Sequence, residues 1–291
     1  MGATASAGLR RSEARASQPA AKRPHRSFSP RTTIARFWRP FALVVALIAA
    51  WWAVTQAELV APYILPSPAE TWRTAHENVA YLAQNTWVTT WETVLGFVIA
   101  AVVGELFAVV MVYSSSLEKT MYPLILFAQV IPKIAVAPLF IVWLGFGPTP
   151  KILVAVLMAF FPIVISGLAG LRSVDPEILE LTSTMGASRI KTFLKIRFPA
   201  SLPQLMSGLK VAATLAVTGA VVGEFVGANE GLGYVILQAN GNVDTAMLFA
   251  ALIIMCIIGI VLFAIIEIAE KLLIPWHSSR RTISTATTTA A

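Results

Sequence analysis

Apolar residues in this chain gather into long runs instead of alternating with polar ones. Three runs carry no charge: 40–57, between Arg39 and Glu58; 152–171, between Lys151 and Arg172; and 245–266, between Asp244 and Glu267. Three more are equally apolar but interrupted. The run 93–113 holds Glu105, 121–144 holds Lys133, and 207–227 holds Lys210 near its start and Glu224 near its end. Crossing a bilayer takes roughly 20 residues. The pattern therefore predicts an all-α polytopic membrane bundle of six transmembrane helices. A soluble protein with six buried helices would show polar faces at helical spacing, and these runs have almost none.

Composition agrees. Of the 291 residues, 57% are hydrophobic and 13% charged, with mean hydropathy +0.73, where a soluble domain carries about a quarter charged residues. The formal charge of +7 has to be read by position. With both termini inside, 18 of the Lys and Arg residues fall on inner segments and 2 on outer ones. That bias fits six spans with both ends cytoplasmic, because cytoplasmic loops retain the positive charge. The charge is thus a topology signal and not nucleic-acid affinity. A single cysteine, Cys256, excludes a disulfide framework. His25, His76, His277 and Cys256 form no metal or nucleophile constellation, so no cofactor and no catalytic site are expected.

The expected organisation is a disordered basic cytoplasmic tail at 1–36, a six-span domain at 37–275 and a second disordered tail at 276–291. The first tail is Arg- and Ser-rich, like an organellar transit peptide, and Met1-Gly2 with Ser6 fits an N-myristoylation pattern. Membrane lipid is an expected contact for its charge. After the first span, Ser67 and Glu70 form a capping box with Pro68 at the first helical position, so a short helix carrying Trp72 is expected at the membrane surface.

The inner segment 172–206 is not loop-like. Asp175-Pro176-Glu177 reads as a helix start, with Ile178, Leu181 and Met185 on one face. Gly186 suits a left-handed helix stop. Ser188 can cap a second helix, and Pro199 and Pro203 are expected to break it before the next span. Such an element either packs on the bundle or acts as a lever for a cytoplasmic partner.

Glu180-Leu181-Thr182, with Gly186 six residues after Glu180 and then Ile196 and Phe198-Pro199, resembles the "EAA" motif of ABC importer permeases. Leu65-Pro66-Ser67-Pro68, the stretch Pro132 to Leu139, Trp143 to Gly147, and Glu224 followed by Gly231-Leu232-Gly233 resemble the nitrate/sulfonate/taurine branch. The resemblance covers most of residues 60–275. It implies a non-enzymatic permease subunit in a bacterial inner membrane, made of two permease chains in a homodimer, with two copies of an ATP-binding subunit beneath. A periplasmic or surface solute-binding protein would deliver the solute. Coupling to the ATPase would fall to Glu180, Leu181, Thr182, Gly186 and Ala187. The solute would be a small anion such as a sulfonate, taurine or nitrate, or a vitamin precursor such as a pyrimidine or riboflavin. The chain holds no Gly-x4-Gly-Lys-Ser/Thr phosphate loop, so ATP hydrolysis would need a separate subunit.

Polar groups inside the bilayer are costly, by a few kcal/mol each. Glu105, Lys133 and Glu224 are therefore candidates for the translocation path or for interhelical struts, and Glu105 and Lys133 could meet across consecutive spans. Rows of small residues at Gly219, Gly223, Gly227 and at Gly96, Ala100, Gly104, Ala108 mark close helix packing, within the chain or between two chains. Pro132, Pro138 and Pro162 are expected to kink their spans. Three other classes compete. A secondary transporter or channel would favour a visible internal repeat. A membrane enzyme would need clustered His, Asp or Cys. The transmembrane subunit of an energy-coupling-factor system should carry two Ala-Arg-type motifs, where this chain has one Gly-centred loop.

Overall fold

The structure is a computed structural model that describes residues 30–276. The readings made on 1–29 and 277–291, including the transit and myristoylation patterns, lie outside the described residues. Every regular element in that range is helical. Helix α1 is Pro30–Gln56, so it begins inside the segment expected to be tail, and its apolar part is Phe41–Gln56. The described residues up to Ala50 belong to a unit of their own, and Phe41 to Ala50 are exposed.

The second unit starts at Trp51. Its helices are α2 (Pro68–Glu77), α3 (Val79–Tyr113), α4 (Ser115–Val130), α5 (Lys133–Leu144), α6 (Pro148–Leu171), α7 (Pro176–Thr184), α8 (Arg189–Thr192), α9 (Phe198–Gly227), α10 (Leu232–Gly241) and α11 (Thr245–Leu273). The capping box is present: Ser67 Oγ accepts the Glu70 N–H at 3.1 Å. Trp72 stands exposed on α2.

Helix α6 lies between α3 and α9 as the centre of the bundle, with α11 against α9 and α10. Both rows of small residues turn to α6, except that Gly227 faces Ile141 and Phe146. A Cβ on Gly219 would stand 2.7 Å from Ala155 Cα, one on Gly223 2.7 Å from Lys151 Cα, and one on Gly96 2.6 Å from Ala155 Cβ. The rows are thus close-packing surfaces within one chain. Without a hydrophobic drive between helices in lipid, close backbone approach is what yields dispersion contact.

Among the described residues, four helical segments are long and apolar enough to cross a membrane: α3, α6, the continuous stretch Arg189–Gly227, and α11. The run 121–144 is not a straight span. It breaks between α4 and α5 with a bend of 94°, and counts as a fifth crossing only as a bent pair. The reason is local. Pro132 has no N–H to give and disfavours helical backbone at Ile131, which sits at φ −59° and ψ 127°. Pro138 and Pro162, in contrast, stay inside continuous helices. The sequence expectation also fails at Pro199 and Pro203, which do not end the helix before α9. Residues Phe193–Arg197 widen into a π turn. The carbonyl that Pro199 would orphan belongs to Lys195, in that widened turn, so the chain stays helical from Arg189 on.

Candidate functional site at the two ends of the bundle

Helix α3 begins at Val79, well before the apolar run, and its added turns carry Asn85, Thr89 and Glu92. These positions recur at four and three residues, so one polar stripe faces inward. All three are buried, at 3%, 0% and 1% exposure. Opposite them lie Lys151 in the first turn of α6 and Glu224 in the last turn of α9, at 5% and 1%. Lys151 Nζ forms an ion pair with Glu92 Oε1.

Glu224 holds the α9–α10 connection. Its Oε1 accepts the Thr89 hydroxyl at 2.7 Å and its Oε2 accepts the Gly233 N–H at 2.5 Å. Thr89 Oγ1 in turn accepts the Leu232 N–H at 2.7 Å, and Asn85 Oδ1 accepts the Gly231 N–H at 2.7 Å. Three successive backbone donors at the start of α10 are thus satisfied by buried side chains, which a helix N-terminus needs when water is absent. Gly231 sits at φ +110° with the Glu224 carboxyl against it, so only glycine fits. The Glu92 and Glu224 carboxyls also face one another. Glu92 Oε2 has no hydrogen-bond partner. Beside this cluster is a cavity of about 270 Å³, lined by Val88, Trp91, Glu92, Phe146, Lys151 and Glu230 among others.

The other end of α6 leads into the basic loop. Asp175 caps α7 by accepting the Glu177 N–H at 3.0 Å. Gly186 ends it at φ +72°, with the Ala187 N–H bonded back to Thr182 O at 3.1 Å. Ser188 Oγ accepts the Lys191 N–H at 3.3 Å and starts α8. Phe193 joins this element to the bundle by packing on Tyr113 at 6.0 Å and Phe198 at 5.9 Å, and Arg197 lies over Tyr113 at 5.8 Å. Arg172 pairs with Glu118 at the same end. The apolar face of this element is largely open: Ile178 and Leu181 on α7, and Met185 at its C-cap, are 47%, 60% and 77% exposed, and Glu180 is exposed too. From Lys151 to Leu171 is about 30 Å at 1.5 Å per residue. The cluster and the loop therefore stand at opposite ends of one helix.

Residues 93–277 match the family model described as "Binding-protein-dependent transport system inner membrane component". The chain belongs to this permease family. The permease is 36% identical over 230 residues to the formylaminopyrimidine transport permease protein ThiX of Halalkalibacterium halodurans, covering 79% of this chain and 92% of that one. It is 34% identical to the riboflavin transport system permease protein RibX of Chloroflexus aurantiacus, covering 86% and 96%. It is 26% identical to the taurine transport system permease protein TauC of Escherichia coli, covering 80% and 88%. The fold resembles the MetNI methionine ABC transporter in an inward-facing crystal form, with TM-score 0.60, 19% identity, and 67% and 97% coverage. The permease is thus the membrane subunit of an ABC importer with a type I fold.

Of the path candidates read from the sequence, only Glu224 joins the permease's polar cluster. Glu105 and Lys133 do not pair. Lys133 Nζ donates to Gln129 O at 2.7 Å and lies over the Phe161 ring at 5.1 Å. Glu105 lies with its Oε2 against Gly167 on α6, and neither of its carboxylate oxygens finds a partner. The break at Pro132 separates them, since it swings Lys133 onto a new helix. No group of three or more His, Cys, Asp or Glu residues placed to hold a metal occurs among the described residues. Sequence reasoning missed Glu92, Lys151, Asn85 and Thr89, because Glu92 and Lys151 flank the apolar runs and were counted as loop. The stripe Asn85, Thr89, Glu92 at helical spacing was the available signal.

Proposed function

We propose that this permease forms one half of an ATP-driven translocation path, as a homodimer on two ATP-binding subunits, with a solute-binding protein outside. The basic loop 172–206 is the cytoplasmic coupling element, within a permease domain at 37–275 flanked by cytoplasmic tails. The observation that carries this reading is the bare apolar face of α7. A monomeric soluble surface rarely leaves large contiguous apolar patches, and an exposed amphipathic helix of this kind fits a groove on a partner. Leu181 and Thr182, with Glu180, Gly186 and Ala187, form the contact, and the positive charge of the loop fits the cytosolic side. The Asn85–Glu224 cluster, at the far end of α6, then lies at the outer face.

The solute is a planar, uncharged nitrogen heterocycle. Two relatives above 30% identity are named for a formylaminopyrimidine and for riboflavin. Carboxylates outnumber cations in the outer cluster, an arrangement that disfavours anions.

Gly186→Val tests the coupling. A side chain there meets nothing within 4 Å, so the fold tolerates its volume. The left-handed backbone costs about 1–2 kcal/mol for a residue with a Cβ. The variant is expected to accumulate in the membrane normally while losing ATPase co-purification and ATP-dependent uptake. Normal uptake with normal ATPase binding would refute the lever.

A further inference from the structure

We infer that the α3–α4 corner, Tyr113 to Glu118, receives the movement of the basic loop and passes it to α4, with Glu118 and Tyr113 as its two positioning residues. The role rests on the coupling reading of the loop; the attachment rests on geometry.

The loop 172–206 is open in its middle and held near both ends. Ile190 and Leu194 are exposed, like the apolar face of α7. Arg172, the first loop residue, caps the end of α6 and pairs with Glu118. At the far end, Phe193 and Arg197 both lie on the Tyr113 ring, at 6.0 Å and 5.8 Å. Tyr113 is the last residue of α3, and Glu118 lies in the first turn of α4. One short corner thus holds the loop at two places. A single attachment is a pivot about which the loop can turn. Two attachments at opposite ends fix its orientation, so loop and corner move as one piece. Glu118 is 7% exposed, whereas Arg172 is exposed. A buried carboxylate that loses its counter-charge is strongly disfavoured, so α4 keeps its hold on Arg172.

Helix α4 is placed to swing. It is bounded by two non-helical joints: Ser114, at φ −125° and ψ 97°, and the Ile131–Pro132 break with its bend of 94°. Residues at element ends are where hinge motions are absorbed. Ile125 is the one buried apolar side chain of α4, packed with Met111, Phe161 and Leu168, while Leu124, Phe127 and Val130 are exposed. A lightly packed helix loses few contacts when it moves. The helices on either side of the loop are locked together instead: a Cβ on Gly170 would stand 2.8 Å from Ser201 O, which joins the inner ends of α6 and α9. Loop movement is therefore carried by α4 and does not part α6 from α9. Glu118 and Val130 lie about 6 Å and about 24 Å from Ser114 at 1.5 Å per residue, so about 1 Å at Glu118 becomes about 4 Å at Val130.

The test uses the full-length permease with its ATP-binding subunit in lipid nanodiscs. Cys256→Ala removes the native thiol, and Phe127→Cys on α4 with Val98→Cys on α3 carry spin labels at exposed positions. Pulsed electron paramagnetic resonance reads the label distance without nucleotide and with Mg-ATP plus orthovanadate. The labelled background should shift by about 3 Å or more for about 1 Å at Glu118. Glu118→Gln, Arg172→Gln and Tyr113→Ala should each lose the shift while the ATP-binding subunit still co-purifies. Tyr113→Phe keeps the ring and should recover it. No shift in the background, a full shift in Glu118→Gln or Tyr113→Ala, or no recovery in Tyr113→Phe would overturn the inference. Loss of co-purification in Glu118→Gln and Arg172→Gln would do the same, since the pair would then shape the loop and transmit nothing. Gly186→Val in the labelled background separates the two readings. A full shift there removes the coupling reading. A lost shift there, with a full shift in Glu118→Gln and Tyr113→Ala, removes the corner and leaves the coupling reading.

Discussion

Lys151 is the only cation inside a buried group that holds two carboxylates, and its removal should be the most damaging single change in the Asn85–Glu224 cluster. Lys151 is 5% exposed, and Glu92 and Glu224 are 1% exposed each. Lys151→Met keeps the volume and removes the charge. Glu92 then has no partner on either oxygen, since Oε2 already lacks one, and the facing Glu224 carboxyl repels it. Breaking a buried pair by deleting one partner costs about 3–5 kcal/mol. At about 2–4 °C per kcal/mol for a chain of this size, the melting temperature falls by about 6–20 °C. Glu92→Leu should cost less, because Lys151 keeps Glu224 as a nearby counter-charge. The double variant Glu92→Leu with Lys151→Met should recover most of the loss, since a buried pair replaced by apolar side chains is often neutral. Intrinsic-fluorescence melting of the four proteins in one detergent, at one pH and concentration, reads the cycle. A Lys151→Met protein as stable as wild type, or a double variant as damaged as the sum of the singles, would refute the reasoning.

Thr89→Val deletes a hydroxyl that donates to Glu224 and accepts from Leu232. It leaves the Leu232 N–H unpaired and is expected to cost about 2–4 kcal/mol, with faster amide exchange at Gly231 to Gly233 and rescue by Thr89→Ser. Glu105→Met should leave melting unchanged or raise it, by up to about 1–3 kcal/mol, because both Glu105 oxygens are buried without partners; a lower melting temperature would mean that Glu105 has a partner in the assembled transporter.

Much of this architecture was legible in the chain. Run length against bilayer thickness gave the membrane class. The turn chemistry of Ser67, Asp175, Gly186 and Ser188 gave the short helices, because capping depends on residues a few positions apart. The Pro132 break was misread as a kink in one span, and Pro199 and Pro203, which the helix absorbs, were misread as breaks. Whether a proline bends, breaks or is absorbed depends on how the freed carbonyls are satisfied, and that is settled by neighbouring turns such as Phe193–Arg197.

The candidate site was legible only in part. Glu224 and the glycines after it stand out in the sequence, but Glu92 and Lys151 look like residues at the edges of apolar runs. They are 59 positions apart and become one buried pair only because α6 lies against α3 at Gly96 and against α9 at Gly219 and Gly223. Local pattern thus determined which segments are helical, which enter lipid and which surface carries positive charge, since those follow from short-range hydrogen bonding and transfer energy. Tertiary packing alone decided which charges meet and which acceptor stays open, because pairing inside a bundle depends on how closely backbones approach, and no single run of residues contains that distance.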